Sequence, residues 1–217
     1  MKDNNLTDPA LQIFFGSPVF GNAVEHGSVH LAATVASRDA DNEGVPYWSP
    51  SNRRMFCNGL THAGRELALT PSEAAYLNGQ GIVTGLNFTG QMTVWGNRTA
   101  AYPAVTDVKD TFIPVRRMFN YIGNTLVLTA WQFTDSPLRR RFIEQICDSF
   151  NLWLNGLAAR EYILGGKVAF LAGENPSTDL IDGTARFHIF IAPPPPAREI
   201  RFTLEYDPSY LTNLFAE

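Results

Sequence analysis

The chain contains two long segments in which apolar residues recur at helical spacing. The first begins at Pro114 and runs to about Ala130, and the second follows Pro137. Residues three or four positions apart share one face of a helix, so each segment predicts an amphipathic helix with one buried side. The predicted buried stripes consist of Val115, Met118, Phe119, Ile122 and Leu126 in the first helix, and of Leu138, Phe142, Ile146, Phe150, Trp153, Leu154 and Leu157 in the second.

Shorter segments alternate apolar and polar residues, which is the pattern of a strand with one buried face. Such alternation runs from Phe88 to Val94, over residues 185–192 and over residues 200–206. The prolines at 193–196 separate the last two segments. Proline fixes its backbone angle and donates no ladder hydrogen bond, so these prolines impose a stiff spacer before the final predicted strand.

Two shorter helices are predicted nearer the N-terminus. The small apolar residues from Gly27 to Ser37 favour a helix that packs closely against a sheet. Thr70 starts the second, because Pro71 suits the first helical position and Glu73 completes a capping box. The expected fold is therefore α/β (mixed α+β), in which a sheet packs against long helices and the chain ends in an extended C-terminal strand arm.

Composition and charge narrow the class of protein without deciding it. The 217 residues are 45% hydrophobic and carry a net charge of -4, which leaves no electrostatic footprint for nucleic acid. Lys occurs only at positions 2, 109 and 167, so 14 of the 17 basic residues are Arg. Guanidinium groups suit interfacial ion pairs better than ammonium groups do. A genomic codon bias explains the same excess, and both explanations stay open.

Neither cysteine spacing nor apolar runs indicate an exported or membrane protein. Cys57 and Cys147 form no CxxC pair, which favours a reducing compartment over a disulfide framework. The N-terminus has no apolar signal region, and no apolar run approaches the length of a membrane span. We expect a soluble protein that is made in the cytoplasm and does not associate with membranes.

Three groups of residues in the middle of the chain carry the most specific signal. The first is Leu77, Asn78, Gly81 and Ile82, where a predicted helix ends; the second is Trp95, Gly96, Arg98 and Thr99; the third is Val115, Arg116 and Arg117, where the first long helix opens. In this order and spacing the groups resemble those of contractile tail sheath proteins. Met118 stands where that family has Leu, and Phe133-Thr134-Asp135-Ser136 stands where it has Phe-Glu-Pro-Asn.

The last third of the chain resembles the same family. Asn175-Pro176, the Asp182-Gly183 turn, the proline joint and Glu199 follow one another as in the sheath C-terminal module, and residues 206–215 are most similar to sheath proteins of the short, P2-like type. Sheath proteins are longer than this chain. The resemblance therefore implies that the chain corresponds to their C-terminal half, with an N-terminal domain absent from it.

The resemblance implies four regions. Residues 1–27 are expected to form an N-terminal arm or entry segment, and residues 28–103 the end of the sheath core domain, which has a subtilisin-like shape. Residues 104–198 are expected to form the sheath C-terminal domain, and residues 199–217 a C-terminal strand arm.

It also implies a structural function. A sheath subunit forms hexameric rings that stack around a tail tube, and contraction of the sheath drives the tube through a target envelope. The implied partners are other sheath subunits, the tail tube protein, and the baseplate and tail terminator proteins. The implied location is the virion tail, assembled in the cytoplasm of the host bacterium. A phage and a bacteriocin-like device fit equally.

Two sets of residues are candidates for contacts between subunits. Ile200, Phe202, Leu204 and Tyr206 form the apolar face of the final predicted strand, which a neighbouring subunit can accept as an added strand. Arg139, Arg140 and Arg141 lie in the first turn of the second long helix, where the helix dipole disfavours cations. Our hypothesis is that an acidic surface of a neighbouring subunit offsets that cost. The alternatives are that residues 199–206 complete their own sheet and that the arginines form a solvated face.

A relic hydrolase and a carbohydrate-binding module are the competing hypotheses. The four histidines at 26, 30, 62 and 188 lie in no protease-like context, and His62 near Cys57 is the one local nucleophile–base pair. Gly79, Gly81 and Gly85 follow a predicted helix, whereas a phosphate-binding loop follows a strand. Trp48, Trp95, Trp131 and Trp153 are the candidates for a glycan cleft. We predict no catalytic residue, no metal site and no cofactor.

Overall fold

The computed structural model describes residues 7–215, and within them the chain forms nine β-strands and six α-helices. Residues 1–6 of the predicted entry segment and residues 216–217 of the predicted arm lie outside the described residues. The elements are β1 Ile13–Phe15, β2 Ser17–Phe20, β3 Ala23–Val24, α1 Gly27–Asp41, β4 Gly59–His62, β5 Arg65–Leu67, α2 Pro71–Gly79, β6 Ile82–Asn87, β7 Met92–Trp95, α3 Val108–Thr111, α4 Ile113–Ala130, α5 Arg140–Ala159, β8 Gly165–Ala169, α6 Ser177–Ile181 and β9 His188–Ala192.

The strands form three small sheets in the described part of the chain. One has the order β1-β6-β7, with β1 parallel to β6 and β6 antiparallel to β7. The second is antiparallel, in the order β3-β2-β4-β5. The third contains only β8 and β9, which are antiparallel and pair Gly165 with Ala192 and Ala169 with His188. The mixed α/β fold predicted from the sequence is confirmed.

Helix α2 begins as its sequence predicts. The Thr70 hydroxyl accepts a hydrogen bond from the main-chain N–H of Glu73 at 3.3 Å, and the Glu73 carboxylate accepts one from the N–H of Thr70 at 2.8 Å. The Glu73 carboxylate also accepts a hydrogen bond from the Thr70 hydroxyl at 2.8 Å, and the two bonds that it accepts from Thr70 lower its pKa. The capping box satisfies two N–H groups that a helix start leaves without partners.

The single strand predicted from Phe88 to Val94 is wrong at its start. Residues 88–91 form the loop of a hairpin between β6 and β7, in which Asn87 pairs with Met92. Gly90 takes a positive φ of 86° in this loop, and the Phe88 side chain is exposed. The apolar and polar residues at 88–91 alternate although they belong to a turn. The two strands lie on either side of it, β6 ending at Asn87 and β7 beginning at Met92.

Both long helices occur, but α5 begins later than its apolar stripe suggested. Arg139 occupies the N-cap position and Arg140 is the first helical residue, so Leu138 precedes the helix. The two helices share one apolar core with β8, the segment between α5 and β8, and the loop after α1. Its buried members are Val45, Met118, Ile122, Leu126, Ile146, Phe150, Leu154, Leu157, Tyr162, Ile163 and Val168.

A second core cluster lies between α1 and the three-stranded sheet. It contains Leu31, Met55, Val83, Val94 and Ile113. Because Ile113 opens α4 while Met118 and the residues after it belong to the other core, α4 connects the two clusters. Among residues 7–215 no helix combines the length and the apolar character needed to cross a membrane.

The chain after β9 does not form the strand that its alternation predicts. Residues 199–207 adopt no regular secondary structure, and residues 208–215 form a 3-10 helix that the sequence pattern did not reveal. The physical reason is that no described strand lies beside residues 199–206 to accept their hydrogen bonds. A strand needs a partner, and residues 7–215 supply none at that place.

Candidate assembly interface

The first two motif groups meet where α2 ends beside β6 and β7. Asn78 places its side-chain amide between the two strands. Oriented with nitrogen toward the main-chain carbonyls, the amide donates to Ile82 at 2.8 Å and to Trp95 at 3.0 Å, and its oxygen accepts from the Trp95 indole Nε1 at 3.3 Å. One side chain therefore ties the end of a helix to both strands of the hairpin.

Gly96 occupies a place that no other residue fits. Its φ is +134°, and a Cβ added to it would lie 2.5 Å from the side-chain amide of Asn78 and 3.1 Å from the Cα of Val83. Gly81, at the turn from α2 into β6, also has a positive φ, of 68°. Both glycines are needed because the backbone is left-handed or closely approached at these points.

The Arg98 side chain is half-buried and packs against residues 111 and 112, just before α4. Its guanidinium carbon is 3.9 Å from the centroid of the Phe112 ring, and its Nη1 donates to the Thr111 hydroxyl at 2.8 Å. The neighbouring Thr99 is buried, and its hydroxyl donates to the main-chain oxygen of Asp110 at 2.6 Å. These contacts join the segment after β7 to the start of α4.

Arg116 and Arg117 extend the same junction to α1. The Nη1 of Arg116 donates to the Asp110 carboxylate at 2.9 Å. Arg117 forms two hydrogen bonds to the carboxylate of Asp39, one of them 2.8 Å long. Val115 is buried between them. All three motif groups therefore contact other parts of the same chain, and we call this set of contacts the motif junction.

The C-terminal segment presents the opposite situation. The apolar residues Ile200, Phe202, Leu204 and Tyr206 are 70%, 86%, 97% and 77% exposed. Each such side chain gains about 1.5 to 3 kcal/mol when it is fully buried, so a run of four is costly to leave in water. The structure does not place residues 199–206 in a sheet of their own chain, which was the alternative expectation. We call residues 199–207 the arm.

The β8–β9 sheet has one blocked edge and one open edge. The main-chain N–H of Val168 donates to the Asn151 side chain at 2.7 Å, and the Val168 carbonyl accepts from it at 3.1 Å. The main-chain groups of Val168 therefore point away from β9. Residues that face each other in an antiparallel pair either both bond across the pair or both point outward, so the main-chain groups of Ile189, which faces Val168, point away from β8. The direction alternates along a strand, so those of Ile191 also point outward. Among the described residues no strand pairs with this outer edge of β9.

The three arginines are exposed at the start of α5, as the sequence predicts. The Nε of Arg140 donates to the Glu144 carboxylate at 2.8 Å, and this pairing raises the pKa of Arg140. Within the described residues the side chains of Arg139 and Arg141 have no hydrogen-bonding or ionic partner, although the Arg139 carbonyl accepts from the N–H groups of Phe142 and Ile143. One arginine is thus balanced inside the chain, and the predicted acidic surface of a neighbour remains a prediction for the other two.

The proline joint crosses a cleft of about 750 Å³ on the face of the motif junction. Arg38, whose guanidinium carbon is 4.6 Å from the centroid of a Trp48 ring, lines one side of it. Arg98 and Arg198 also line the cleft. Burial, followed by the nearby charge of Arg198, lowers the pKa of Arg98. The joint therefore starts against cationic and aromatic side chains of the core.

The tryptophans do not converge on one glycan cleft. Trp48 and Trp95 line the cleft beneath the joint, whereas Trp153 packs against the core of α4 and α5 and Trp131 is exposed after α4. A glycan site needs several aromatic faces in one groove, and only two of the four tryptophans, Trp48 and Trp95, share one.

The residues considered for catalysis are engaged elsewhere. His30 contacts Glu25, and the His188 Nδ1 lies 2.7 Å from the Glu174 carboxylate. His62 packs on Phe15, with ring centroids 4.9 Å apart. Burial raises the pKa of both Cys57 and Cys147, which disfavours the nucleophilic thiolate. In the part of the chain that the structure describes, no group of three potential metal ligands comes together.

Sequence reasoning missed Asn151 and the Asp39–Arg117 pair. Asn151 is a polar residue beside the apolar stripe of α5, and that position is the one signal that marked it. Asp39 and Arg117 are 78 positions apart in the chain. Nothing in a single sequence indicates which distant charges meet.

Comparison with known proteins gives matches among tail sheaths. The chain is 32% identical to the tail sheath protein of Burkholderia phage BcepMu over 173 residues, which are 77% of this chain and 36% of that protein. It is 26% identical to the major tail sheath protein of Serratia phage KSP20 over 147 residues, 67% of this chain and 35% of that protein. The chain thus spans about a third of the length of these curated relatives. No protein-family profile matches it.

The fold is also similar to that of a solved sheath structure. The sheath complex of PVC, an extracellular contractile injection system, in its contracted state aligns with a TM-score of 0.81 at 22% identity, covering 95% of this chain and 58% of that one. The resemblance expected from the three motif groups is confirmed. The sequence similarity shows that the chain belongs to the contractile tail sheath proteins, and its fold is that of a solved sheath.

Proposed function

We propose that this chain is part of a structural sheath subunit that polymerises around a tail tube and contracts to drive the tube into a target. The curated relatives are tail sheath proteins, which supports a structural role over a hydrolase or a glycan-binding module. The observation that carries the assembly mechanism is the arm, an alternating apolar segment left unpaired in a molecule that also has an open sheet edge.

In this proposal the arm of one subunit adds a strand to β9 of the next. Main-chain groups of Ile189 and Ile191 accept the added strand, because Asn151 already occupies the outer edge of β8. Donation between identical chains joins two different surfaces, so it continues from subunit to subunit and builds rings or open helices rather than closed dimers.

The donated arm is expected to hold firmly. Each ladder hydrogen bond contributes about 0.5 to 1.5 kcal/mol net, and four buried apolar side chains add more. The proline joint keeps the arm away from its own sheet, because no proline donates to a ladder. A tether of this kind allows rigid bodies to slide between an extended and a contracted packing without detaching.

The remaining assignments follow from the sheath role. Subunits form hexameric rings, contact the tail tube protein, and meet baseplate and tail terminator proteins at the two ends. Assembly takes place in the host cytoplasm, and the finished sheath is part of the virion tail. The subunit performs no catalysis, needs no cofactor, and binds neither nucleic acid nor membrane.

Negative-stain microscopy of the full-length protein tests this function. The wild type is expected to form striated tubes, and a Phe202→Asp, Leu204→Asp variant is expected to form none. Thr203→Asp is the matched control, since it places a carboxylate on the polar face of the same segment and should leave tubes intact. Tubes formed equally by the double variant contradict arm donation, and a wild type that never assembles contradicts the sheath role.

A further inference from the structure

An apolar pocket of about 780 Å³ lies between the start of α5 and the short helix α6. Two arginines, Arg139 and Arg140, and two acidic residues, Glu144 and Asp148, also line it. Arg140 pairs with Glu144, whereas the Arg139 guanidinium has no hydrogen-bonding or ionic partner among residues 7–215. Ile181, on the α6 side, is 87% exposed. The apolar walls are formed by Leu138, Ile143, Cys147, Phe170, Leu180 and Ile181. A pocket with these walls and an unpaired arginine at one side suits an apolar segment preceded by acidic residues that reach Arg139.

The segment that follows the arm has this character. Residues 208–215 form a 3-10 helix, in which Leu211 and Leu214 share a face because such a helix repeats every three residues. The side chains of Tyr210, Leu214 and Phe215 are exposed. Glu205 and Asp207 come just before this helix. We call residues 208–215 the tail.

The sheet geometry connects the two features. An arm strand that pairs antiparallel with β9 runs in the direction of β8, so its C-terminal end lies beside His188, where β9 begins. Residues 200–206 extend about 23 Å at the usual rise per residue, which exceeds the length of β9. The tail then emerges beside Phe187, whose ring lies 5.5 Å from that of Phe170 in the pocket wall.

We propose that the tail of a second copy of this chain occupies this pocket and locks the donated arm in place. Leu211 and Leu214 enter between α5 and α6, while Glu205 and Asp207 face Arg139 on the rim. This inference rests on the proposed arm donation and extends it, since it assigns Arg139 a partner and gives the tail a function.

Cys147 in the pocket wall provides a direct test in the full-length assembled protein. One preparation carries Leu214→Cys with Cys57→Ser and Cys147→Ser, and the other keeps Cys147 as its single cysteine. Mixed assembly followed by oxidation is expected to join the two proteins. Thr212→Cys is the matched control on another face of the tail. It should give less than about a tenth of the product, because a disulfide needs Cβ atoms about 4 Å apart.

A second pair of cysteines separates this inference from arm donation itself. Leu204→Cys and Ile189→Cys, placed in different preparations that lack both native cysteines, report the pairing of the arm with β9. Joining at both positions supports the tail pocket. Joining at the arm alone overturns the tail pocket and leaves arm donation standing. Joining at neither overturns both.

The rim contact has its own test by charge exchange. Arg139→Glu places a negative charge opposite Glu205 and Asp207, and it should reduce the tail product several-fold. Asp207→Arg in the other preparation should restore it. Arg141→Glu is the control, because Arg141 does not line the pocket. Equal products from all combinations contradict the proposed rim contact.

Discussion

The motif junction and the arm are both recognisable in the sequence as sheath features, yet they differ in how their side chains are used. In the junction, Gly96, Arg98 and Arg117 contact α1, α2 and α4 of the same molecule. In the arm, Phe202 and Leu204 are exposed and contact no sheet of the described chain. A specific residue pattern therefore serves the fold of one subunit in the first region and, in our proposal, the joining of subunits in the second.

This difference separates two experimental readouts. Changes in the junction should lower the free energy of unfolding of the isolated chain. Changes on the apolar face of the arm should leave that free energy unchanged and abolish assembly. Variants in the two regions measure how complete this separation is.

Gly96→Ala is expected to cost the most stability. The added Cβ meets the backbone at Val83 and the Asn78 amide, and its φ is one that side chains rarely adopt. We expect the free energy of unfolding to fall by about 3 kcal/mol, measured by urea denaturation. Gly123→Ala in α4 is the control. A Cβ there meets nothing within 4 Å, so it should stabilise the chain by up to about 1 kcal/mol. Equal effects at both positions contradict the close approach at Gly96.

Arg117→Gln is expected to have the next largest effect. It leaves the carboxylate of Asp39, which is only 20% exposed, without its bidentate partner. We expect a loss of about 2 kcal/mol in the free energy of unfolding. The control is Arg160→Gln, which removes the exposed pair with Glu43 and should cost less than about 1 kcal/mol. If the two variants lose the same stability, the ion pair of the junction does not hold α1 to α4.

A smaller, pH-dependent effect is expected near α6 and β9, where Asp179 pairs with Arg186. A hydrogen bond from Arg186 lowers the pKa of Asp179. A carboxylate whose pKa is depressed by folding adds stability above its unfolded value of about 3.9, and this stability is lost as the pH falls through the folded value. Asp179→Asn should therefore be less stable than the wild type at pH 7, and the difference should disappear only as the pH falls from about 3.9 through the lower folded pKa of Asp179. Arg186→Gln should behave in the same way in urea titrations at pH 7 and below that folded pKa. A gap that persists at low pH contradicts the assignment.

The smallest effect on unfolding is expected in the arm. Phe202→Asp should change the free energy of unfolding of the isolated chain by less than about 0.5 kcal/mol, because its side chain touches no core. Thermal unfolding of the unassembled protein checks this. A marked loss of stability means that the arm folds back onto its own subunit, and the comparison between the two regions then fails.

Much of the fold was predictable from local sequence. The capping box at Thr70, the buried stripes of α4 and α5, and the helix from Gly27 all follow from spacing and from the preferences of single residues. These elements form because neighbours along the chain decide them. The strand predicted from Phe88 begins only at Met92, because a short alternating run does not show which of its residues lie in a turn.

Less of the candidate interface was predictable. The exposure of the arm follows from the absence of a partner strand in three dimensions, and alternation alone is equally compatible with a strand in its own sheet. The blocked edge of β8 depends on Asn151, whose bond to Val168 joins a helix to a strand 17 residues away. Contacts of this kind arise from tertiary structure, and the spacing of residues in one sequence does not predict them.

Hydrogen–deuterium exchange of the free and the assembled protein tests the central claim most directly. In the free chain the amides of residues 200–206 should exchange rapidly, because that segment pairs with no described strand, and so should those of Ile189 and Ile191, whose N–H groups point away from β8. On assembly both sets should become protected together, while the amides of the motif junction stay protected throughout. Arm amides that are already protected in the free chain, or that remain unprotected in the assembled sheath, contradict the account.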